Sequence, residues 1–127
     1  DSAIISLAGP VSNLLLATAC AILLRFLISY SFIGLFVYWI IGLLQPLIVL
    51  NVVLAVFNLV PIHPLDGFKI VGGILPEEHA RQWAELERYG MIFLIFLILP
   101  LAGGASPISQ IISPVINLLL GVLLPIA

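Results

Sequence analysis

The sequence predicts an all-α integral membrane protein of about four transmembrane helices, and three observations predict it. Of its 127 residues, 63% are hydrophobic and 8% charged, with a mean hydropathy of +1.34. A soluble domain is about half apolar and a quarter charged. Apolar runs recur near the length of about 20 residues that a helix needs to cross a hydrocarbon core of about 30 Å. Three of the four basic residues, Lys69, Arg81 and Arg88, gather in a single polar stretch. The net charge of −2 leaves no basic patch for nucleic acid. The single cysteine, Cys20, lies in an apolar run, which excludes a disulfide framework and a cysteine zinc site.

The first span is placed at about 4–28, with Ala8-Gly9-Pro10 at its start, where proline is tolerated, and Arg25 near its far end. The second runs over about 35–60, apolar except for Gln45 and Asn51, with Pro46 as a kink. The third covers about 89–101 and the fourth about 107–126, so residues 1–127 form one membrane domain. The polar segment 67–88 separates the second and third spans. Within it, Pro76, Glu77 and Glu78 make a helix start with acids in the first turn. Glu85 and Glu87 alternate with Arg81 and Arg88, as on a water-facing helix. The basic residues place this segment in the cytoplasm and the connections at 29–34 and 102–106 on the opposite side. The chain starts at Asp1 and its only methionine is Met91, so it is expected to be part of a longer protein.

Small and polar residues fall on stripes. Asn13, Ala17 and Ala21 share one face of the first span, and Asn51, Ala55 and Asn58 one face of the second. Ser109, Ser113, Asn117 and Gly121 do so on the fourth. Such stripes let helices approach closely and hydrogen-bond in lipid. The second span then ends in FNLVPIHPLDGFK, residues 57–69. Pro61 and Pro64 lack an N–H and push Val60 and His63 toward extended backbone, so the chain from Asn58 to Asp66 should unwind near membrane depth. Irregular backbone is tolerated there only against protein or a wet cavity. Asp66 has two readings at this point. It marks the helix end with an Asp-Gly turn, or it faces an enclosed cation.

Asn58-x-x-Pro61-x-x-x-x-Asp66-Gly67, with Leu65 before the aspartate, resembles the Asn-x2-Pro-x4-Asp-Gly element of the site-2 protease family of intramembrane zinc metalloproteases. Ala8-Gly9-Pro10-x-x-Asn13 is similar to the opening of the family's preceding span, and Leu86-Glu87-Arg88-Tyr89-Gly90 precedes a further apolar run as the family order requires. The resemblance implies one zinc ion, with Asp66 as its third protein ligand. It implies that Asn58 steadies the substrate carbonyl or its oxyanion, and that Pro61, Pro64, Leu65 and Gly67 shape the segment. Asn13, Asn51 and His63 are candidate lining residues. The implied partners are a transmembrane protein substrate and the lipid bilayer.

The family's His-Glu-x-x-His helix, source of two ligands and the general base, has no counterpart here. The histidines are His63 and His79, sixteen positions apart, with His79 among charged residues of the polar helix. The chain is therefore expected to supply one zinc ligand and a substrate-positioning segment, to be inactive alone, and to need an N-terminal part of the same protein. A non-catalytic membrane scaffold is the alternative, and a transporter using the unwound segment comes third.

Overall fold

The computed structural model describes residues 2–30, 34–63, 65–100 and 104–125, and these contain helices and connections with no strand. Two long helices form an antiparallel pair, α1 (Ser2–Ser29) and α2 (Leu35–Asn58), of 28 and 24 residues. At 1.5 Å per residue they extend about 42 and 36 Å, enough to cross a bilayer. Only 22% and 33% of their most apolar stretches are buried, so most of their aliphatic surface faces outward. The core helix of a soluble protein would be mostly buried. Ile5, Leu15, Ile22, Phe36 and Leu43 are among the exposed side chains.

The seam between the two helices is made by small residues on α1. Ala17 and Ala21 are buried with Cys20 and Leu24 against Leu44, Ile48, Val52 and Val56 of α2. Two hydroxyls within α1 are satisfied along its own backbone, Ser12 donating to the Ala8 carbonyl (2.6 Å) and Thr18 to that of Leu14 (2.8 Å). One expectation changes here. Because α1 begins at Ser2, Pro10 sits inside the helix and is fully buried, not in the first turn. Its missing N–H leaves the Ser6 carbonyl without the usual helical donor.

The third and fourth apolar runs form shorter helices. The apolar run at 89–101 yields α5 (Gly90–Ile98), nine residues and about 14 Å, less than half a bilayer. A 3-10 turn occupies Glu85–Tyr89 before it, and Leu99 is extended (φ −65°, ψ 135°) ahead of Pro100, the conformation a residue before proline prefers. Residues 101–103 lie outside the described residues. The last helix, α6 (Pro107–Leu123), has 17 residues, with the Ser106 hydroxyl accepting from the Ser109 N–H (3.3 Å) and proline in the first turn. Among the described residues, two helices, α1 and α2, are long and apolar enough to cross a membrane, and α6 is a shorter apolar helix.

The orientation of α6 is set at its far end. Arg25 of α1 donates to the Val122 and Leu123 carbonyls at 2.8 and 3.3 Å, a cation meeting the negative end of the helix dipole. The C-termini of α1 and α6 therefore lie together, and α6 runs parallel to α1, not back toward its start. Its buried face is aliphatic, with Ile112, Ile116, Leu119 and Leu120 against the α1–α2 core. The expected packing stripe is used only in its first half: Ser109 and Ser113 are half-buried, whereas Asn117 and Gly121 are exposed and nothing stands within 4 Å of a Cβ at Gly121.

At the opposite end, α3 (Asp66–Ile74) packs on α1, and α4 (Glu77–Ala84) packs on α3. Pro76 precedes α4 with Glu77 and Glu78 in its first turn, as the sequence indicates. Between α2 and α3, Gly67 is buried so closely on the chain that a side chain there would collide with the Leu59 and Val60 carbonyls. Backbone cannot yield as a side-chain tip can. Gly67→Ala is expected to destabilise the protein by about 1–3 kcal/mol or more, measured by denaturant unfolding in detergent.

Candidate metal and substrate site

The site is built where α2 stops. Leu59 N–H still reaches the Ala55 and Val56 carbonyls at 3.2 Å, but no helical bonds continue beyond Val60. Ile62 N–H turns back to Val60 (2.8 Å) and Leu65 N–H to Ile62 (2.7 Å), so the described residues between α2 and α3 form a compact break. Pro64 lies outside the described residues. Asn58 is the last residue of α2 and Asp66 the first of α3, so the break carries one candidate polar group at each end. Pro61 is exposed, and Leu65 and Gly67 are buried on either side of the half-buried Asp66.

Asp66 points at α1. A β-carbon at Gly9 would stand 3.0 Å from Asp66 Oδ2, so the carboxylate rests against bare helix backbone. Asn13 is one turn farther along that face, about 6 Å up the axis, and half-buried. Gly9 and Asp66, 57 positions apart in the chain, are therefore brought together by the fold. The nearby close approach of carboxylate to base belongs to another pair, Glu87 Oε1 and His63 Nε2 at 3.6 Å. Asp66 has no cationic side chain against it among the described residues.

The asparagines separate into two kinds. Asn51 is buried, and its amide donates to the Leu47 carbonyl at 2.8 Å, which satisfies it within its own helix. Asn58 is half-buried and makes no side-chain hydrogen bond among the described residues, so its donors are available. His63 faces an aromatic cluster, its ring edge-on to Phe68 with centroids 5.5 Å apart. A small apolar cleft of about 60 Å³ opens there, lined by Pro61, His63, Phe68, Trp83, Leu86 and Phe93, and it does not include Asp66. His79 is exposed on α4 beside Leu75 and Gln82.

A carboxylate is an appropriate zinc donor, but a catalytic zinc takes three protein ligands. No group of three His, Cys, Asp or Glu residues able to hold a metal occurs among the described residues. Asp66 thus fits as one ligand of a set that these residues do not complete. Sequence reasoning missed Gly9 as the surface beneath Asp66, and Phe68, Trp83 and Glu87 as neighbours of the break. The signal for Trp83 was a lone large aromatic inside a charged helix.

Comparison with known proteins bears on the family of the chain. The family model for Peptidase family M50 matches residues 35–101, from the start of α2 through the break and α3 to beyond α5. The chain is 34% identical over 117 residues to the "Putative zinc metalloprotease YwhC" of Bacillus subtilis (strain 168). That alignment covers 90% of this chain and 51% of the relative, so the chain spans about half the relative's length. No solved structure matches. With the matched region centred on the break that joins Asn58 to Asp66, and with apolar helices around it, the chain belongs to peptidase family M50, the membrane-protein family of the site-2 proteases.

Proposed function

We propose that this chain is the substrate-positioning and third-ligand part of a zinc-dependent intramembrane protease. The observation that carries the reading is Asp66, a half-buried carboxylate set at a helix break against Gly9, with no cationic side chain among the described residues to balance it. An uncompensated charge near membrane depth costs at least about 2.5 kcal/mol at the bilayer centre, and a bound cation offsets that. Zinc, when bound, polarises the scissile carbonyl and lowers the pKa of its water.

The chain's own residues would do the rest. Asp66 would hold one face of the metal, positioned by α1 behind it. Asn58, at the other end of the break, would donate its amide N–H to the substrate carbonyl as negative charge develops there. The irregular backbone between them would pair with an extended stretch of a substrate helix that has locally unwound. The two remaining ligands and the general base would come from a segment outside this sequence, in keeping with the half-length match to the relative. This chain alone would then be inactive.

Lys69, Arg81 and Arg88 lie on the polar segment that packs at the Asp66 end, whereas Arg25 marks the other. The Asp66 end would face the cytoplasm by the positive-inside rule, and the substrate would be cut toward that side of a multi-pass protein. The absence of His-Glu-x-x-His from these residues favours one rival, a non-catalytic membrane scaffold.

Metal removal separates the two. The full-length protein, reconstituted with a single-span membrane substrate, is expected to stop cleaving after treatment with a strong zinc chelator and to resume when zinc is returned. Cleavage indifferent to chelation would remove zinc from the mechanism. No cleavage under any zinc condition would leave the scaffold.

A further inference from the structure

Asp66 is gripped from both flanks by the polar segment. Two positions after it, the Phe68 carbonyl accepts the indole N–H of Trp83 at 2.8 Å, and the two rings stack with centroids 5.0 Å apart at 23°. Three positions before it, His63 stands 3.6 Å from Glu87 and edge-on to the same Phe68 ring. Trp83 and Glu87 are four residues apart on the polar segment. Gly90, at the start of α5, packs directly on the backbone of His63. On the opposite side α3 is stopped by α1, through Gly9 against Asp66 and Ala3 against Gly73. The short helix carrying Asp66 is held between a membrane helix and a clamp from the water-facing segment.

We propose that Trp83 is a positioning residue for the metal site: its indole N–H fixes the first turn of α3, and with it the direction of the Asp66 carboxylate. The inference rests on Asp66 being a zinc ligand. Zinc ligands need outer partners that fix their orientation, and loss of such a partner lowers metal affinity by about 10–100-fold. Trp83 reaches the ligand through the backbone of Phe68 rather than by touching the carboxylate. The indole matters here as a donor, since a phenyl ring would stack equally well but lose the hydrogen bond that ties the Phe68 carbonyl to the polar segment. The stack alone permits sliding of one ring over another, whereas a hydrogen bond of 2.8 Å constrains both distance and direction.

Trp83→Phe in the full-length protein tests this, because it keeps the ring and removes the donor. Amide hydrogen exchange over residues 68–72 is expected to quicken about tenfold, and zinc affinity, read by chelator competition, to weaken about tenfold. Trp83→His, which restores a ring N–H, should recover part of both. Unchanged exchange overturns the proposal. Faster exchange with wild-type zinc affinity overturns it too, since the contact would then hold the fold and not the site. A wild-type protein that binds no zinc sinks the protease reading and this one with it. A wild type that binds zinc with Trp83→Phe indistinguishable from it sinks this one alone.

Discussion

Asp66→Asn in the full-length protein is expected to abolish zinc-dependent cleavage, with a loss of at least about a hundredfold, and to lower the zinc retained after dialysis. The floor on that figure comes from outer partners of metal ligands, whose removal alone costs about 10–100-fold, so loss of a ligand should exceed it. Asparagine keeps the size of the side chain beside Gly9. It removes the charge. The competing account, a helix-end turn with no metal, predicts a different magnitude. A negative group in the first turn of a helix contributes about 0.3–1 kcal/mol through the dipole, so Asn would trim stability slightly and leave any activity intact. Cleavage rate and bound zinc measured on the same preparation distinguish the two accounts. Wild-type cleavage by Asp66→Asn would end the ligand assignment.

Asn58→Ala is expected to lower kcat by about 10²–10³-fold while zinc content and KM stay near wild type. That is the cost of removing one donor from an oxyanion site. The contrast with Asn51 gives the prediction its basis. The Asn51 amide is already bonded to the Leu47 carbonyl, whereas the Asn58 side chain has no hydrogen bond among the described residues. Truncating Asn58 therefore breaks nothing inside the fold, and its half-exposed position keeps the effect on stability small. Asn58→Asp should be worse than alanine, because it replaces the donor with a charge that repels the developing oxyanion. Equal kcat in wild type and Asn58→Ala would assign the oxyanion to another donor, and a raised KM with kcat preserved would make Asn58 a binding group only.

The two experiments report on opposite ends of one break, and the break makes both groups available. In a continuous helix, Asn58 and Asp66 would be eight residues and about 12 Å apart along one rod. With Leu59, Val60, Ile62 and Leu65 bonded back in turns, α3 can instead swing across α1 and bring its first turn onto Gly9. Gly67 permits this, since the chain passes over the Leu59 and Val60 carbonyls too closely for a side chain.

Much of this was legible in the residues, for local reasons. The length and apolarity of α1 and α2 follow from composition, and the start of α4 from Pro76, Glu77 and Glu78. The Ala17–Ala21 seam follows from the spacing of small residues on one helical face. Other features depended on contacts that spacing cannot express. The short α5 had a local cause in Leu99-Pro100, yet the apolar run hid it, because hydrophobicity marks what lipid accepts and not where backbone bonds stop. The small-residue stripe on α6 looked like a packing face. Its aliphatic face won, because Arg25 fixes the end of α6 and the large side chains bury more surface against α1 and α2.

By itself, then, the sequence determined a membrane-embedded helical chain with a proline-broken segment carrying Asn58 and Asp66, since helix length, helix breaking and apolarity are properties of neighbouring residues. Only the tertiary structure decided that Asp66 lies on Gly9, that Trp83 and Glu87 grip its flanks, and that α6 runs parallel to α1. Those are contacts between residues distant in the chain, selected by which surfaces fit without a void or a collision. A pattern read along one strand of sequence carries no such distances.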